Sequence, residues 1–415
     1  MREEWQKTTM LEACDLITCG VAARPKYVDE GVPFLSAKNV KEGQIIYEGY
    51  NCITEENHQE LTKKNKPLVG DILYTRVGSY GEAAVIEKNI EFSIFVSLTL
   101  IKPKKELLNN FFLKYYLNSH EVKTLAKNSI TSSGVGNLNV GTVRKFPVPI
   151  PPLEEQKQIV ALLDKAFTAI DQAKTNIEKN IENAKELFQS KLNDIFNQNN
   201  DDWVSTTLGD VCSVLNGYAF KSKDAVEKSN TQLLRMGNLY KNILDLDRKP
   251  VFYPDSFSQN YKNYLLKKGD LIMSLTGTVD KTDYGYIVKI PEIDVALLLN
   301  QRIMKIEVLD SNVLNKDYLK NYLLSPDFLT RLYDTASGTR QANLSSRTIL
   351  TLKINYPSQI DEQLEVVQQF KKLRKHIFKL EHEYKEKLNN LEDLKKSILQ
   401  KAFAGELTKK EIVLN

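Results

Sequence analysis

The segment Trp5-Gln6-Lys7-Thr8-Thr9-Met10 recurs 198 residues later as Trp203-Val204-Ser205-Thr206-Thr207-Leu208, and it is the first of a series of repeated segments. Further matches follow in the same order, and their offset rises only to 207. They pair Leu35–Asn39 with Leu234–Asn238, Gly70–Leu73 with Gly269–Ile272, Leu113–Leu117 with Leu319–Leu323, Ser133-Gly134 with Ser337-Gly338, Asn137-Leu138 with Asn343-Leu344, and Glu155-Gln156 with Glu362-Gln363. Solenoid repeats are about 20–50 residues long, so these matches indicate a whole domain, with its following helix, present twice. Such a chain is expected to have pseudo-twofold symmetry and two related, diverged binding surfaces.

Each copy ends in a segment without proline or glycine, from Leu153 to Phe196 and from Ile360 to Phe403. Each segment has 44 residues, which corresponds to about 66 Å of α-helix. We therefore predict an α+β protein, in which two duplicated mixed α/β domains are separated by two long antiparallel helices that form a coiled coil. The predicted boundaries are 1–150 and 201–357 for the domains, and 151–200 and 358–415 for the helices. In the first domain the pattern predicts strands at Gly43–Tyr47, Asp71–Tyr74, Ala83–Ile86 and Ser97–Ile101, and a helix at Asn109–Ser119.

Both long helices carry apolar residues at heptad spacing, the pattern of a coiled coil. The predicted seam positions are Leu163, Ile170, Ile177, Asn180 and Leu187 in the first helix, and Phe370, Leu373, Ile377, Leu380, Tyr384, Leu391, Leu394 and Ile398 in the second. Asn180 and Lys387 interrupt the seams at equivalent positions, and a polar seam residue sets register at a cost in stability. The first seam is also small where the second is large, as at Ala166 and Leu373, which favours mutual pairing. The alternative is that each helix packs separately on its own domain.

Composition limits the class of protein. The chain has 415 residues, 42% hydrophobic and 27% charged, which is ordinary for globular domains and too long for one core. No apolar run approaches the length of a membrane span and the first residues form no apolar signal region, so we expect a cytoplasmic protein. The cysteines form no CxxC pair and are expected to be thiols, with Cys14 and Cys212 at equivalent core positions. Residues 1–150 carry 19 basic and 17 acidic side chains and residues 201–357 carry 20 and 18, so any DNA-binding surface must be a local patch.

Motifs for catalysis are missing from the sequence. It contains no Asn-Pro-Pro-Tyr motif of a base-methylating enzyme, no GxGxxG and no Walker loop. The histidines, His58, His120, His376 and His382, lack metal-ligand spacing. We therefore predict no catalytic residue, no metal site and no cofactor bound by this chain.

The candidate recognition residues lie in the loops of the repeat, where amide, guanidinium and hydroxyl groups occur beside glycine. Hydroxyls and backbone amides suit phosphate contacts, whereas Arg, Asn and Gln suit base edges. The candidates for DNA binding are Arg24, Lys26, Tyr27, Ser36, Lys38, Asn39, Arg76, Ser79, Tyr80, Ser132 and Ser133 in the first copy, and Tyr218, Lys221, Arg235, Asn238, Thr276, Thr278, Thr339, Arg340 and Gln341 in the second. Arg76 and Arg235 are expected at comparable loop sites. For any single candidate, ordinary turn chemistry explains the polar side chain equally well.

Several further stretches carry a resemblance to a known family. They are Thr206–Cys212 after the tryptophan start, Gly70–Gly78, Pro149–Gln156 at the opening of the first helix, and Ser397–Thr408 after the second. With the duplicated layout, they resemble the specificity (S, HsdS) subunits of type I restriction–modification systems over nearly the whole chain. The sequence departs from the family at two places: the second proline-rich element is reduced to Tyr356–Gln363, and the first helix lacks an Ala-Gly-Glu-Leu tail.

The resemblance implies a non-catalytic DNA-recognition subunit with two target recognition domains. Each domain would read one half of a bipartite, asymmetric sequence in double-stranded DNA, largely through the major groove. The helices would set the spacer between the half-sites and dock two modification (methyltransferase) subunits. S-adenosylmethionine for adenine methylation, and the ATP and Mg used by restriction/translocase subunits, would belong to those partners. No contact with a membrane is expected.

Two other functions remain open at this point. The chain resembles equally the specificity subunit of a related system that methylates or cuts without a translocating motor, because that difference lies in its partners. A member of another class, a coiled-coil scaffold whose globular ends bind protein or polysaccharide, would lack salt-dependent DNA binding.

Overall fold

A computed structural model describes residues 5–22, 25–130, 136–196, 202–279, 281–338 and 341–408. The chain forms two compact units, and each combines one globular copy with a part of each long helix. The first unit contains Met1–Glu178 and Tyr384–Asn415, and the second contains Lys179–Glu383. The compact units therefore divide the chain within both helices, whereas the sequence boundaries divide it at the helix ends.

The first copy and its helix follow one another in this order: β1 (Gln6–Thr9), α1 (Met10–Ala13), β2 (Cys14–Cys19), β3 (Tyr27–Val28), β4 (Val32–Leu35), β5 (Val40–Lys41), β6 (Gln44–Ile45), β7 (Asn51–Ile53), α2 (Glu55–Thr62), β8 (Ile72–Thr75), β9 (Ala83–Val85), β10 (Ser93–Ile94), β11 (Leu98–Pro103), α3 (Asn110–Leu117), α4 (His120–Asn128), α5 (Val140–Arg144), β12 (Pro147–Ile150) and α6 (Leu153–Phe196). The predicted strands are confirmed as β8, β9 and β11, and the strand predicted at residues 43–47 is reduced to β6. Asn109 caps α3, since its side chain accepts hydrogen bonds from the backbone N–H of Phe111 and Phe112.

The second copy and its helix contain β13 (Trp203–Thr207), α7 (Leu208–Val211), β14 (Cys212–Asn216), β15 (Thr231–Leu234), β16 (Phe252–Tyr253), α8 (Ser256–Asn260), β17 (Leu265–Leu266), β18 (Leu271–Ser274), β19 (Thr276–Thr278), β20 (Ile287–Lys289), β21 (Ala296–Leu299), β22 (Ile303–Val308), α9 (Lys316–Leu323), α10 (Pro326–Asp334), β23 (Gln341–Asn343), α11 (Ser346–Leu350), β24 (Lys353–Pro357) and α12 (Ile360–Phe403). Asn315 caps α9 as Asn109 caps α3.

The two copies share one sheet topology. The main sheet has the order β2–β11–β8–β9 in the first copy and β14–β22–β18–β20 in the second. A smaller sheet has the order β10–β4–β7–β3 in the first copy and β17–β21–β15–β16 in the second, with the parallel pairs β10–β4 and β21–β15 at equivalent places. The copies differ at the edges of the smaller sheet, because β3 extends one side in the first copy and β17 extends the other side in the second. This correspondence confirms the duplication.

Each main sheet is buried on both faces. Side chains alternate along a strand, so Ile72 and Tyr74 of β8 enter one hydrophobic cluster with α3, while Leu73 enters another with the smaller sheet. Leu271 and Met273 of β18 alternate with Ile272 in the same way. Continuous apolar runs such as Leu271–Met273 therefore fit a central strand between two apolar layers.

The repeated tryptophan segment closes each copy on itself. β1 pairs antiparallel with β12, which leads into α6, and β13 pairs antiparallel with β24, which leads into α12. The start and the end of each globular copy are therefore joined by backbone hydrogen bonds, and the proline-rich element is the partner strand of the tryptophan segment.

The two long helices pair antiparallel within each unit. In the first unit, Lys174 forms an ion pair with Glu392, and Asp171 with Lys395 at 3.4 Å. In the second unit, residue numbers also rise in one helix as they fall in the other: Lys185 lies 3.7 Å from Glu381, and the rings of Phe196 and Phe370 are 5.2 Å apart. The prediction of mutual pairing is confirmed, and the alternative of separately packed helices is wrong.

The predicted seam is correct at most positions. Leu163, Ile170 and Phe370 are buried. The half-buried seam residues are Ile177, Leu373, Ile377, Tyr384, Leu391 and Ile398. The pairing of small with large residues inferred from Ala166 and Leu373 is wrong, because Ala166 packs in the first unit with Leu391 and Ile398, whereas Leu373 belongs to the second unit.

The seam is wrong at Asn180, Leu187, Leu380 and Leu394, which are exposed. Their following neighbours in α6, Ile181 and Phe188, are half-buried instead. A straight α-helix drifts by about 20° per heptad relative to a strict seven-residue repeat, so the contact stripe moves by one residue. Asn180 and Lys387 both lie outside the stripe and therefore do not set its register.

The cysteines and the helices of the described residues bear on the composition argument. Cys14 and Cys212 are buried free thiols, and burial raises the pKa of each to about 12. They are equivalent core residues, as predicted. Within the described part of the chain, no helix combines the length and apolarity needed to cross a membrane. Nor do His, Cys, Asp and Glu side chains cluster there as metal ligands.

Candidate nucleic-acid interface

A buried glutamine fixes each globular copy to its own long helix. Gln156 Oε1 accepts a hydrogen bond of 2.7 Å from the backbone N–H of Asn109, and its Nε2 donates to the carbonyls of Leu107 and Pro151 at 3.0 and 2.8 Å. The side chain is fully buried. Because Asn109 caps α3, this single side chain connects α3, the proline-rich strand end and the first turn of α6.

The second copy repeats this joint. Gln363 Oε1 accepts from the N–H of Asn315 at 2.8 Å, and Nε2 donates to the carbonyls of Val313 and Pro357 at 2.9 and 2.8 Å. The recurrence of Glu-Gln in the sequence is thus explained by a glutamine that satisfies all three backbone groups at the same place in both copies. In each copy this glutamine therefore holds the start of the long helix against the start of α3 or α9.

Asn39 and Asn238 brace equivalent loops from within. Each is almost fully buried. The Asn39 amide donates to the carbonyls of Ile46 and Glu48, and the Asn238 amide donates to those of Asp245 and Arg248. Their Oδ1 atoms accept from the N–H of Ser36 and Arg235, respectively. In the free protein the two asparagines therefore shape the loops, which corrects the expectation that they present amides to bases.

Arg76 is also a structural residue. It is 7% exposed, and its guanidinium donates to the carbonyls of Leu138 at 2.9 Å and Val96 at 3.4 Å. The backbone around it matches that of Leu275, because Leu138 N–H donates to Arg76 O as Leu344 N–H donates to Leu275 O. The expected equivalence of Arg76 with Arg235 is therefore wrong: buried Leu275 replaces Arg76, and exposed Arg235 corresponds to Ser36.

The loop after the central strand differs between the copies. Between Thr75 and Gly81 there are five residues, whereas between the equivalent Ser274 and Gly285 there are ten. In the first copy this loop meets residues 136–138 through one bridge, Val77–Asn137, and Tyr80 Oη donates to Gly136 O at 2.7 Å.

In the second copy the longer loop forms a two-stranded ribbon from β19 and β23, with Thr278 opposite Gln341. Asp283 accepts from the N–H and hydroxyl of Thr278 at 2.6 and 2.9 Å, and Thr276 Oγ1 donates to Met236 Sδ at 2.9 Å. The ribbon therefore adjoins the loop that carries Arg235. Met236 and Asp283 had no signal in the sequence that would have marked them.

Tyr218 lies at a sharp turn that each copy makes after the edge strand of its main sheet, β14 in the second copy and β2 in the first. At Gly217 a Cβ would lie 2.1 Å from Asn300 O, and at Gly20 one would lie 2.1 Å from Ile94 O, so both positions require glycine. The next residue bridges to the neighbouring strand as Tyr218–Asn300 or Val21–Phe95. Tyr218 is 39% exposed, and its ring lies 5.0 to 5.3 Å from those of Phe220, Tyr261 and Tyr264.

The remaining candidates divide by exposure. Those exposed to solvent are Lys26, Tyr27, Lys38, Ser79, Lys221, Arg235, Thr278 and Gln341. Ser36, Tyr80 and Thr276 are half-buried. Arg24, Ser132, Ser133, Thr339 and Arg340 lie outside the described residues. Within the second copy, Arg235, Thr276, Thr278 and Gln341 come together around the ribbon, and DNA contact by any of these side chains stays a prediction.

These features define a class: a duplicated recognition protein, in which each copy presents diverged polar loops and is fixed to a long helix. The chain belongs to the family described as the type I restriction modification DNA specificity domain, whose sequence model matches residues 2–183 and 200–390.

Relatives and solved structures agree with this family. The chain is 24% identical to the type I restriction enzyme MjaVIII specificity subunit of Methanocaldococcus jannaschii over 409 residues, which covers 93% of this chain and 92% of the relative. It is 22% identical to the EcoKI specificity subunit of Escherichia coli K12, over 92% and 83% of the two chains. Among structures, a chain from a study of type I R-M system assembly has a TM-score of 0.73 at 18% identity, over 98% of this chain and 99% of that chain. The HsdS subunit from Thermoanaerobacter tengcongensis has a TM-score of 0.56 at 16% identity, over 98% of both chains.

Proposed function

We propose that this chain is the specificity subunit of a type I restriction–modification complex, in which each copy reads one half of a bipartite, asymmetric DNA target. The observation that carries the proposal is one scaffold, present twice, with different side chains and loop lengths at equivalent sites. In the second copy Leu275 stands in place of Arg76, Arg235 stands in place of Ser36, and a two-stranded ribbon replaces the single bridge of the first copy. Two identical half-sites would therefore not suit both copies. Membership of a DNA specificity family favours this function over a scaffold that binds protein or polysaccharide.

The long helices would act as a spacer between the half-sites and as the docking site of two modification subunits. The buried joints of Gln156 and Gln363 support this role, because they make each copy follow its helix. Restriction subunits with a translocating motor would complete the complex. The site of action would be the cytoplasm, where cellular DNA is accessible to such a complex.

The chain itself would perform no chemistry. S-adenosylmethionine would be held by the modification subunits, and ATP and Mg by the restriction subunits. Polar side chains of the described loops such as Lys38, Arg235 and Gln341 are exposed to solvent, which suits recognition of bases and phosphates.

The test exchanges one reader. We would replace residues 1–150 with the same region of another specificity subunit, express it with its modification subunit, and sequence the methylated bases of the host genome. One half of the methylated motif should change while the other half and the spacer stay fixed. The matched control replaces residues 201–357 and should change only the other half. If either exchange alters both halves together, the model of two independent readers is wrong.

A further inference from the structure

The second unit contains a groove between α9 and the first part of α12, outside the candidate recognition loops. Its volume is about 410 Å³. The lining residues are Asp317, Lys320, Asn321, Val367, Phe370, Lys371, Arg374, Lys375 and Phe378. Phe370 forms part of the buried core of the unit, whereas Phe378 is 72% exposed. The groove therefore joins a large uncovered aromatic ring to a group of cations.

The cations that line the groove outnumber its carboxylates. Among the described lining residues Asp317 is the one carboxylate, and it accepts a hydrogen bond of 2.6 Å from Lys289. Lys320 is half-buried, and its pKa is lowered first by burial and then by the neighbouring charge of Arg374. A half-buried cation such as Lys320 beside other cations costs free energy, which an incoming carboxylate recovers.

In the first unit, side chains of this chain itself cover the equivalent surface. The residues equivalent to Lys371, Arg374, Lys375 and Phe378 are Asp164, Phe167, Thr168 and Asp171. Burial lowers the pKa of Lys114, the counterpart of Lys320, and Asp164, which accepts a hydrogen bond from Tyr115, partly offsets this effect. Lys395 of α12 covers the ring of Phe167 at 4.8 Å and pairs with Asp171 at 3.4 Å. Acidic positions in the first copy have thus become basic or apolar in the second.

We infer that the groove of the second unit binds an acidic segment of a partner subunit, which places its carboxylates on Lys320, Lys371 and Arg374 and an apolar side chain on Phe378. The docking is one-sided, because the equivalent surface of the first unit is closed by its own ion pairs. This inference rests on the proposed function, since the modification subunit is the partner that would supply the segment.

Protein suits this groove better than DNA does. A phosphodiester backbone offers charge but leaves an exposed phenyl ring in water, whereas a peptide offers carboxylates and apolar side chains together. Protein interfaces are enriched in aromatic residues and arginine, and the planar guanidinium matches a carboxylate in bidentate geometry. The combination of Phe378 with Arg374 is therefore typical of an interface hot spot.

The test compares Arg374→Glu with Lys372→Glu, a variant with the same change of net charge. Lys372 is exposed on the same helix but does not line the groove. A third variant, Phe378→Ala, removes the apolar anchor without altering charge. Since the three side chains are exposed, all variants should keep the thermal stability of the full-length chain, which is measured first.

Two binding measurements follow. In the first, a fluorescein-labelled 15-residue peptide of alternating Glu and Leu is titrated with the full chain, read by anisotropy. In the second, assembly with the modification subunit is measured by native mass spectrometry, beside binding to a 30-base-pair duplex. Arg374→Glu and Phe378→Ala should each weaken peptide binding and assembly at least about tenfold. Lys372→Glu should leave both unchanged, and the variants should bind the duplex as the wild-type chain does.

Other outcomes distinguish a failure of the groove inference from a failure of the proposed function. If Arg374→Glu and Lys372→Glu weaken peptide binding and assembly equally, net charge rather than the groove determines the affinity, and the inference about the groove is wrong. If Arg374→Glu weakens binding to the duplex but not assembly, the groove is a phosphate site, and the inference is again wrong. If the wild-type chain neither assembles with the modification subunit nor gains sequence-specific methylation, the proposed function fails, and the peptide titration alone then decides whether the groove binds acidic protein segments.

Discussion

Replacing Gln156 by leucine should loosen the joint between the first recognition domain and its helix. The substitution keeps approximate size but removes the hydrogen bonds of Gln156 to the N–H of Asn109 and to the carbonyls of Leu107 and Pro151. Each of these three backbone groups, left buried without a partner, costs about 1–3 kcal/mol, so that together they cost about 3–9 kcal/mol. A buried leucine regains about 1.5–3 kcal/mol through its apolar surface. The net loss in unfolding free energy should therefore be about 3 kcal/mol.

The effect is measurable by denaturant unfolding followed by circular dichroism. For a unit of this size, about 3 kcal/mol corresponds to a fall of roughly 6–12 °C in melting temperature. Hydrogen exchange should localise the damage to residues 107–117, which the glutamine holds. The matched variant Gln363→Leu should give a similar loss with faster exchange at residues 313–323, because the geometry of the two joints is the same.

Two further variants make the reasoning refutable. Gln158→Leu changes the same residue type two positions away at an exposed site, where substitutions usually stay within about 0.5 kcal/mol. Gln156→Glu keeps the shape and removes the two donated hydrogen bonds, so it should be at least as damaging as Gln156→Leu. If Gln156→Leu is no more destabilising than Gln158→Leu, the joint does not hold the domain on its helix.

Three other perturbations test the remaining conclusions. Arg76→Ala should lower the unfolding free energy by about 2–3 kcal/mol, because the carbonyl of Leu138 loses its charged donor. Arg235→Ala should keep the melting temperature and relax the methylated motif at one position, at a cost of about 1–3 kcal/mol in DNA affinity. Unchanged affinity and motif in Arg235→Ala would show that the reading surface lies elsewhere. Four residues inserted after Leu187 add about 6 Å of helix against about 3.4 Å per base pair, so methylome sequencing should find the same half-sites with one or two more undefined bases between them. Full activity on the original spacer would show that the helices do not set the distance. Purified chain with S-adenosylmethionine and cognate DNA should incorporate no methyl label until the modification subunit is added, and incorporation by the chain alone would contradict a non-catalytic role.

Most of the architecture could be read from the sequence because it depends on repetition and periodicity. The ordered matches from Trp5 to Gln363 predict two copies, and the absence of proline and glycine predicts both long helices, which the structure shows as Leu153–Phe196 and Ile360–Phe403. The pairing of the helices also followed from their heptads. The seam failed only where a strict seven-residue repeat departs from the 3.6-residue turn, as at Leu187.

The site was predicted less well, because a polar loop residue looks the same in sequence whether it faces solvent or the interior. Asn39, Asn238 and Arg76 have the chemistry of base readers. The two asparagines instead satisfy backbone carbonyls of their own loops, and Arg76 satisfies those of Leu138 and Val96. Exposure and hydrogen-bond partners depend on chain segments far apart in sequence, such as Leu138 for Arg76. No local pattern reports them.

The duplication, the long helices and the family follow from the amino-acid sequence, because each depends on the order and spacing of residues along the chain. Only packing shows which loop residues face solvent and which support the loop from within. Packing also buries Arg76 against the carbonyls of Leu138 and Val96, and it leaves the groove of Lys320 and Arg374 open in one copy while side chains of the other long helix cover its counterpart in the other. These are matters of burial and of which charges lie side by side, and burial exists only once distant segments have packed together.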